Sequence, residues 1–538
     1  MNVSVRSYLS PTLVLLAFDW PEGATRQDFL GFAVKRTPGF LSADGQEREA
    51  SSWLPNRLTF TGVMPDTQKD APSNEAPIQK FMWWDARIDE ADRQKSFTYL
   101  VFPVVGTAGA PQLLDAQKAE CRLTLPAHIE ANVGSWFNRA VVSSQAFSRK
   151  VAALHLAPHA APSAEQALSL RTWLANDLQD VFALTLGHVH HAASAVYHLT
   201  DPLWAIPAFE TFGKKAGKAA LAIVYDSHEV EQKGKPPAPS PNQPAVDQLA
   251  DVATFSPRDK THIMHDKFIV VDDGNAHASP ARVLTGSANF TTEGITEQAN
   301  VLHLFESPEL ATLYSDRAEA LAGNPGIADT AKLTPGWSDS IQVGSAKVRV
   351  CFSPEPKTSR MQIDTIVDAI NNAKHSVVFC LFMPTDAPLR DACFAAGDKG
   401  KMMFGLVNHI SAKSADEADA AQKAGKNCRD HGVGQHGVVP PRSRPARRDR
   451  RRVFFTGNRA GRVRTRTARV SRRACAELRA GHHSPQVSGD RRGRRESDRL
   501  YRLGEYEQQL RTLQRREPAG DPRSAHCRYL SCRVSAAV

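Results

Sequence analysis

THIMHDKFIVVD, residues 261–272, decides the fold, because it places His265, Lys267 and Asp272 in an H-x-K-x4-D spacing. The apolar run after the lysine predicts a buried strand. Side chains two positions apart on a strand point to the same face, so His265 and Lys267 share one face. That face offers a nucleophile or proton carrier beside a fixed cation, a pairing that suits a phosphate group.

A glycine turn follows at TGSANF, residues 285–290, and presents Ser287 and Asn289. A lone histidine near a strand is usually packed or solvated, and H-x-K alone occurs by chance in many proteins. Here H-x-K, an apolar strand, an aspartate and G-S-x-N occur together. This set resembles the signature of the phospholipase D superfamily, which is H-x-K-x4-D followed by G-S-x-N.

The resemblance implies a site in which two such motifs meet and no metal or other cofactor is needed. One histidine attacks phosphorus and forms a phosphohistidine, while the other protonates the leaving alcohol. Lysine and asparagine side chains hold the phosphate oxygens. Carried onto this chain, the resemblance assigns these roles: His265 as nucleophile, Lys267 and Asn289 as phosphate holders, Ser287 as a supporting donor, Asp272 as a group that orients and pairs, and Glu297 as a weaker candidate to fix the imidazole.

Length and composition predict a protein of two to four domains, since 538 residues exceed one ordinary domain. The sequence contains no apolar run long enough to predict a transmembrane helix. The short run Leu13–Phe18 lacks a small-residue cleavage site and is interpreted as a strand rather than a signal peptide. Eight cysteines without C-x-x-C spacing indicate neither a disulfide framework nor a zinc site. A cytoplasmic location is favoured.

Residues 1–128 alternate short β-type runs with turn signals, which predicts an all-β sandwich of the fibronectin or immunoglobulin kind. Its tryptophans, including those in FMWWD at residues 81–85, are interpreted as core residues rather than as a carbohydrate or lipid platform. What this domain binds is left open.

Residues 129–335 alternate strand and helix patterns around the motif, which predicts an α/β phospholipase D-like sandwich unit. The Lys/Pro/Ser-rich stretch 228–260 is predicted to be a loop too polar to pack, and residues 297–305 are predicted to form a strand. His188, His190 and His191 are interpreted as solvated rather than metal-binding, because no carboxylate is expected nearby.

Residues 345–426 repeat the strand and helix order of the first unit, up to the point where a second H-x-K should follow. The pattern predicts a strand at residues 347–352, a helix at 361–373, a strand at 376–383, a helix at 388–396 and a strand at 401–407. We interpret this region as the N-terminal part of a second, incomplete phospholipase D-like unit.

Residues 427–538 hold 28 arginines, no lysine and 10 acidic residues, a formal charge of +18. The other 426 residues hold 39 basic and 47 acidic residues, a charge of −8. Such a tail is typical of a nucleic-acid-binding arm, but also of a GC-rich gene read out of frame. Shifted by one nucleotide, residues 484–497 can begin HHKFLVID and residues 498–507 can read TVYTGSANMS. We therefore hypothesise a frameshift just after Lys426 and a disordered tail.

Three functions remain open. A phosphodiesterase that hydrolyses phospholipids or transfers the phosphatidyl group comes first, because the body of the chain is acidic. A metal-independent endonuclease of the same superfamily is the alternative, although nucleic acid normally needs a basic groove. The third is a non-enzymatic, Arg-rich nucleic-acid-binding product. Since the second motif is absent as written, the chain is either inactive or a homodimer that joins two copies of His265; we favour inactivity.

Overall fold

The computed structural model describes residues 2–407, apart from 43–44, 58–59, 61–69, 143, 157–159, 233, 275–278, 334–335 and 383. These residues belong to two compact units that divide after His128. The Arg-rich tail at 427–538 and residues 408–426 of the predicted second unit lie outside the described residues. Within the described part of the chain, no helix has the length and apolar content needed to cross a membrane.

The first unit is built from antiparallel strands, which are β1 Ser4–Ser10, β2 Leu13–Asp19, β3 Phe29–Thr37, β4 Ser52–Trp53, β5 Pro55–Asn56, β6 Ala71–Pro72, β7 Met82–Asp85, β8 Ser96–Thr107, β9 Ala110–Leu113 and β10 Ala119–Thr124. They form one sheet in the order β1-β2-β7 and another in the order β10-β8-β3-β4, with β9 beside β8 and a small β5-β6 pair. The fibronectin- or immunoglobulin-like layout stays a prediction.

The core of this unit follows from strand alternation. Val14, Leu16 and Phe18 of β2 are buried, while the residues between them are only half-buried. Among the tryptophans, Trp53 packs on Phe102 and Trp83 lies against the core, as predicted. Trp84 was predicted to be a core residue as well, but it is 40% exposed on the outer face of the β1-β2-β7 sheet.

The second unit contains a mixed sheet of eight strands flanked by helices. Its strands are β11 Ile129–Glu130, β12 Val133–Phe137, β13 Ala192–Val196, β14 Leu221–Asp226, β17 Thr254–Arg258, β18 Lys267–Asp272, β19 Pro280–Gly286 and β20 Val301–Glu306, and a separate hairpin joins β15 Val230–Gln232 to β16 Lys235–Ala238. The helices are α1 Gln145–Ala153, α2 Ala164–Ala175, α3 Val181–Leu186, α4 Ala205–Ala216, α5 Gln243–Leu249, α6 Thr292–Thr296, α7 Pro308–Ala322 and α8 Ile327–Leu333. The predicted α/β character of this region is confirmed.

The motif strand β18 lies within this sheet, whose order is β11-β12-β20-β19-β18-β13-β14-β17. Strands β13, β14 and β17 run parallel, whereas β18 is antiparallel to both its neighbours. All six residues of β18 are buried. Ile269 and Val271 join the core that includes Phe182 and Phe209, while Phe268 packs on the other face, where α7 lies. A strand covered on both faces is expected to be apolar throughout, as this one is.

Two predicted elements differ from the structure. The stretch 228–260 is not a loop, because it forms the β15-β16 hairpin, helix α5 and the sheet strand β17. Leu249 is fully buried, so apolar residues spaced along α5 anchor a segment whose average composition is polar. The strand predicted at 297–305 begins only at Val301, and Glu297 instead ends helix α6.

The region after the first motif unit contains β21 Ile341–Val343, β22 Ala346–Val348, α9 Met361–Asn372, β23 Ser376–Leu381, α10 Ala387–Asp398 and β24 Met402–Val407. The two predicted helices and the strand pair β23-β24 are present, and that pair is parallel. The predicted strand at 347–352 is shorter and shifted to Ala346–Val348. Assignment of this region to a second phospholipase D-like unit stays a prediction.

Candidate active site

Strand register brings the two motifs to one edge of the sheet. Lys267, the first residue of β18, pairs with Val196 at the carboxyl end of β13. On its other side, Phe268 pairs with Thr285 near the end of β19. The segments that follow β13, precede β18 and follow β19 are therefore neighbours. The segment before β18 carries H-x-K, and the turn at the end of β19 carries G-S-x-N.

Lys267 is a buried cation at this edge, with 7% of its surface exposed. Its Nζ donates to the backbone oxygen of His265 at 2.8 Å and lies 5.3 Å from the ring centre of Tyr197. Burial lowers the pKa of Lys267 to about 8, while the charge of Asp266 acts in the opposite direction. The ammonium group is still charged at neutral pH and is held by one hydrogen bond, so it can donate to an anion.

His265 is exposed to solvent, and its ring centre lies 4.9 Å from that of Tyr197. The protein packed around the ring lowers the pKa of His265 to about 4; Lys267 lowers it further, and Asp226 opposes the change. At neutral pH the imidazole is therefore uncharged and keeps a free electron pair. An accessible neutral imidazole beside an ammonium group is the arrangement that nucleophilic attack on a phosphate needs.

The G-S-x-N turn packs closely on β20. A Cβ added at Gly286 would lie 2.1 Å from the backbone oxygen of Val301, so this position requires glycine. The Oγ of the exposed Ser287 accepts a hydrogen bond from Val301 N at 3.1 Å, which shows that this side chain helps to hold the turn. The buried Oδ1 of Asn289 has no hydrogen-bond partner among the described residues. This atom is an acceptor, whereas holding a phosphate oxygen needs the amide N–H groups, so the predicted role of Asn289 as a phosphate holder stays a prediction.

Asp272 lies at the opposite end of β18 from Lys267, about 16 Å away for five steps along a strand. It is 3% exposed and accepts hydrogen bonds from the backbone N–H groups of His190, His191 and Gly274, and it also pairs with His191 Nδ1 at 3.1 Å. The expectation that no carboxylate lies near the histidine cluster is thus wrong. Asp272 therefore pairs with the histidine cluster, away from Lys267, and its role in orienting the site stays a prediction.

Sequence reasoning missed four residues that build the site. Tyr197 and His198 follow β13, and Asp226 ends β14, so all three lie at the carboxyl ends of adjacent parallel strands. Ligand sites in α/β sheets are commonly found at such ends, which is the signal that could have revealed these residues. The fourth, the buried Asn242, precedes α5 in the stretch that had been interpreted as a loop.

These four residues fix the backbone around the motif. Asp226 Oδ2 accepts a hydrogen bond from Met264 N at 2.7 Å, one residue before His265. Asn242 binds the backbone on both sides of His198, through Leu199 N and the oxygen of Tyr197. The ring centres of His198 and Tyr197 lie 3.8 Å apart with tilted planes, and burial lowers the pKa of His198 to about 4. These hydrogen bonds hold the backbone segments around His265 in place in the folded protein.

Glu297 follows α6, and its backbone N–H donates to the oxygen of Glu293 at 2.9 Å. Its role in fixing an imidazole stays a prediction. Within the described ranges, no three histidine, cysteine or acidic side chains are arranged to hold a metal ion.

Fold and site together define an α/β protein in which a histidine just before a buried strand and the lysine that begins this strand lie near a glycine turn at one end of the sheet. Residues 219–322 match a family model described as cardiolipin synthase, PLD-like domain. With H-x-K-x4-D and G-S-x-N both inside this range, the segment belongs to the phospholipase D superfamily. No curated protein sequence gives a significant match.

Among solved structures, the chain is similar to a phospholipase D family member, Nuc from Salmonella typhimurium, at 20% identity over 26% of this chain and 83% of that one, with a TM-score of 0.21. NucT from Helicobacter pylori matches at 16% identity over 28% and 90%, with a TM-score of 0.22. Phosphatidylserine synthase from Haemophilus influenzae matches at 10% identity over 47% and 68%, with a TM-score of 0.34. These TM-scores are too low to add to the assignment, which rests on the family match and the motifs.

Proposed function

We propose that the unit after His128, which carries the H-x-K-x4-D motif, is a phosphodiesterase that acts on phospholipids. It would act through a phosphohistidine on His265, by hydrolysis or by transfer of the phosphatidyl group. The observation that carries the proposal is the uncharged, accessible imidazole of His265 beside the buried ammonium group of Lys267. A nucleophile and a fixed cation at one sheet edge are the two groups that attack on a phosphodiester requires.

In the proposed reaction the free electron pair of His265 forms a bond to phosphorus. The bond between phosphorus and the alcohol oxygen breaks, and that oxygen takes a proton from a general acid. Water or a second alcohol then attacks the phosphohistidine, gives up its proton to the same group and releases His265. Lys267 and Asn289 hold the non-bridging oxygens, where negative charge is concentrated.

The general acid is proposed to be the histidine of the second motif, which is readable only in the shifted frame. The chain as written is therefore expected to be inactive, unless two copies of the chain each supply one His265. Phospholipid is preferred to nucleic acid because residues 1–426 carry a charge of −8, which repels a polyanion. An endonuclease of the same superfamily is the alternative.

The test compares cleavage of phosphatidylcholine vesicles and of a DNA oligomer by the frame-restored protein. We expect lipid cleavage, and we expect His265→Ala to lower kcat by more than about 1000-fold, because the nucleophile is lost. His262→Ala is the matched control, since this exposed histidine lies in the same stretch. Activity that survives His265→Ala would overturn the site assignment, and cleavage of DNA alone would favour the endonuclease.

A further inference from the structure

The segment directly after β13, residues 197–200, is joined by backbone hydrogen bonds to both motifs although it belongs to neither. Tyr197 N donates to the oxygen of Asp266 at 2.8 Å, at the middle position of H-x-K. Phe290 N, directly after G-S-x-N, donates to the oxygen of His198 at 3.0 Å. The position of this segment is therefore fixed relative to both motifs.

The side chain of Tyr197 contacts both side chains of H-x-K. Its ring centre lies 4.9 Å from that of the His265 imidazole, with 54° between the two planes, which is within the range of aromatic contacts. The Nζ of Lys267 lies over the same ring, 5.3 Å from its centre, which is within the reach of a cation–π interaction. A single ring thus contacts the candidate nucleophile and the candidate phosphate-holding cation.

Tyr197 is itself held on both sides of its Cα. Its N–H donates to Asp266, and its oxygen accepts a hydrogen bond from Nδ2 of the buried Asn242 at 2.8 Å. The ring of His198 lies next to the half-buried tyrosine ring, with the two centres 3.8 Å apart. Because its backbone and one neighbouring ring restrict the Tyr197 ring, that ring can restrict the side chains that it contacts.

We propose that Tyr197 is a positioning residue, whose ring fixes the direction of the His265 imidazole and the place of the Lys267 ammonium group beside it. The ring acts through contact, so a phenylalanine can replace it. The protein packed around His265, which lowers the pKa of this histidine to about 4, includes the Tyr197 ring. Only the catalytic consequence of this inference rests on the proposed function.

The first test is independent of catalysis. Diethyl pyrocarbonate, which reacts with neutral imidazole, labels the full chain over a pH series, and mass spectrometry distinguishes His265 from the neighbouring His262. In Tyr197→Ala we expect the apparent pKa of His265 to rise by about one unit, because water reaches the imidazole where the tyrosine ring covered it. Tyr197→Phe keeps the ring and should leave this pKa unchanged. The exposed His262 should titrate alike in all variants.

Tyr225→Leu is the matched control, because this tyrosine lies in the adjacent strand β14 and its ring packs on Phe255 at 5.7 Å. It should leave the pKa of His265 unchanged even where it lowers stability. If Tyr197→Ala does not fold, Tyr197→Leu, which keeps apolar volume without a ring, takes its place, and a shift in the same direction is expected. A folded variant without the ring whose His265 titrates as in the wild type would overturn the proposal.

The second test uses activity in the frame-restored protein. The pH profile of kcat/KM should fall at low pH as His265 becomes protonated, since the attack needs a neutral imidazole. Tyr197→Ala should move this limb to higher pH and reduce kcat about 10-fold to 100-fold, with less effect on KM, whereas Tyr197→Phe should stay within about 3-fold of the wild type. A Tyr197→Phe protein that behaves like Tyr197→Ala would also overturn the proposal. If the wild type cleaves no phosphodiester, the proposed function fails, while the labelling experiment still decides the role of Tyr197.

Discussion

His265 and Lys267 owe their protonation states more to the surrounding protein than to each other. Burial is the main reason why the pKa of Lys267 falls to about 8, and the protein packed around one side of the accessible His265 ring is the main reason why its pKa falls to about 4. Between these values the imidazole is neutral and the ammonium group is charged, which is the combination that the proposed attack needs. The H-x-K spacing alone identifies the residue types, but it does not set their protonation.

At the same scale, Asp272 is predicted to matter for stability rather than for catalysis. Burial tends to raise the pKa of Asp272, but hydrogen bonds from His190, Gly274 and His191 outweigh it, so the pKa is lowered in the folded protein. A carboxyl group with a lowered folded pKa contributes stability above its unfolded pKa, and this contribution is lost as the pH falls through the folded pKa.

We expect Asp272→Asn to reduce the free energy of unfolding at pH 7 by about 1–3 kcal/mol, because one amide oxygen cannot replace a carboxylate with four hydrogen bonds. The difference from the wild type should begin to shrink as the pH falls below about 4, the pKa of an unfolded aspartate, and should be lost only below the lowered pKa of the folded carboxyl group. Urea unfolding at pH 7 and in acid checks this, with Asp251→Asn, at an exposed aspartate, as the control. A loss of kcat at unchanged stability would contradict the prediction.

At the scale of elements, the segment before α5 connects the loops that carry the site. Buried Asn242 accepts from Leu199 N at 2.7 Å and donates to the oxygens of Tyr197 and Asp226, both at 2.8 Å. These contacts join the carboxyl ends of β13 and β14 to α5. The stretch 228–260 therefore forms part of the frame of the site.

Asn242→Ala is expected to lower the free energy of unfolding by about 2–4 kcal/mol, since it leaves one buried N–H and two buried oxygens without their partner. Chemical unfolding of the full chain measures the loss. Gln243→Ala, at the next position, is the matched control and should change stability by less than about 0.5 kcal/mol. Equal effects of the two substitutions would show that α5 is not held in this way.

At the scale of the whole molecule, the written chain carries one motif, while the expected reaction uses two. The parallel pair β23-β24 with α9 and α10 precedes the point where the second motif is hypothesised. A parallel sheet is normally buried on both faces, yet Val378, Met402 and Phe404 are each more than half exposed. Such exposure is expected if residues 345–426 begin a second phospholipase D-like unit and the rest of that unit is encoded in the shifted reading frame.

The nucleotide sequence of the locus tests the frameshift hypothesis. We expect the shifted frame to run without stop codons from Lys426 through residues 484–507 and to encode a second H-x-K-x4-D followed by G-S-x-N. The control is the region that encodes residues 219–322, where the shifted frame should contain no such pair. A stop codon between the hypothesised shift and residue 507 would rule the hypothesis out.

The sequence by itself determined the motif strand, the glycine turn, the predicted helices at 361–373 and 388–396 and the superfamily. These depend on residue types at fixed spacings along one stretch of chain, which is local information. Local information did not predict α5 and β17, because the stretch 228–260 is polar in its average composition. A few buried apolar residues such as Leu249 are enough to anchor it.

Only the tertiary structure decided which distant residues meet the motif. Tyr197, Asp226 and Asn242 come from separate parts of the chain, and no local pattern links them to His265. The structure also decided the protonation of His265 and Lys267, since burial arises from packing between elements that are far apart in the sequence.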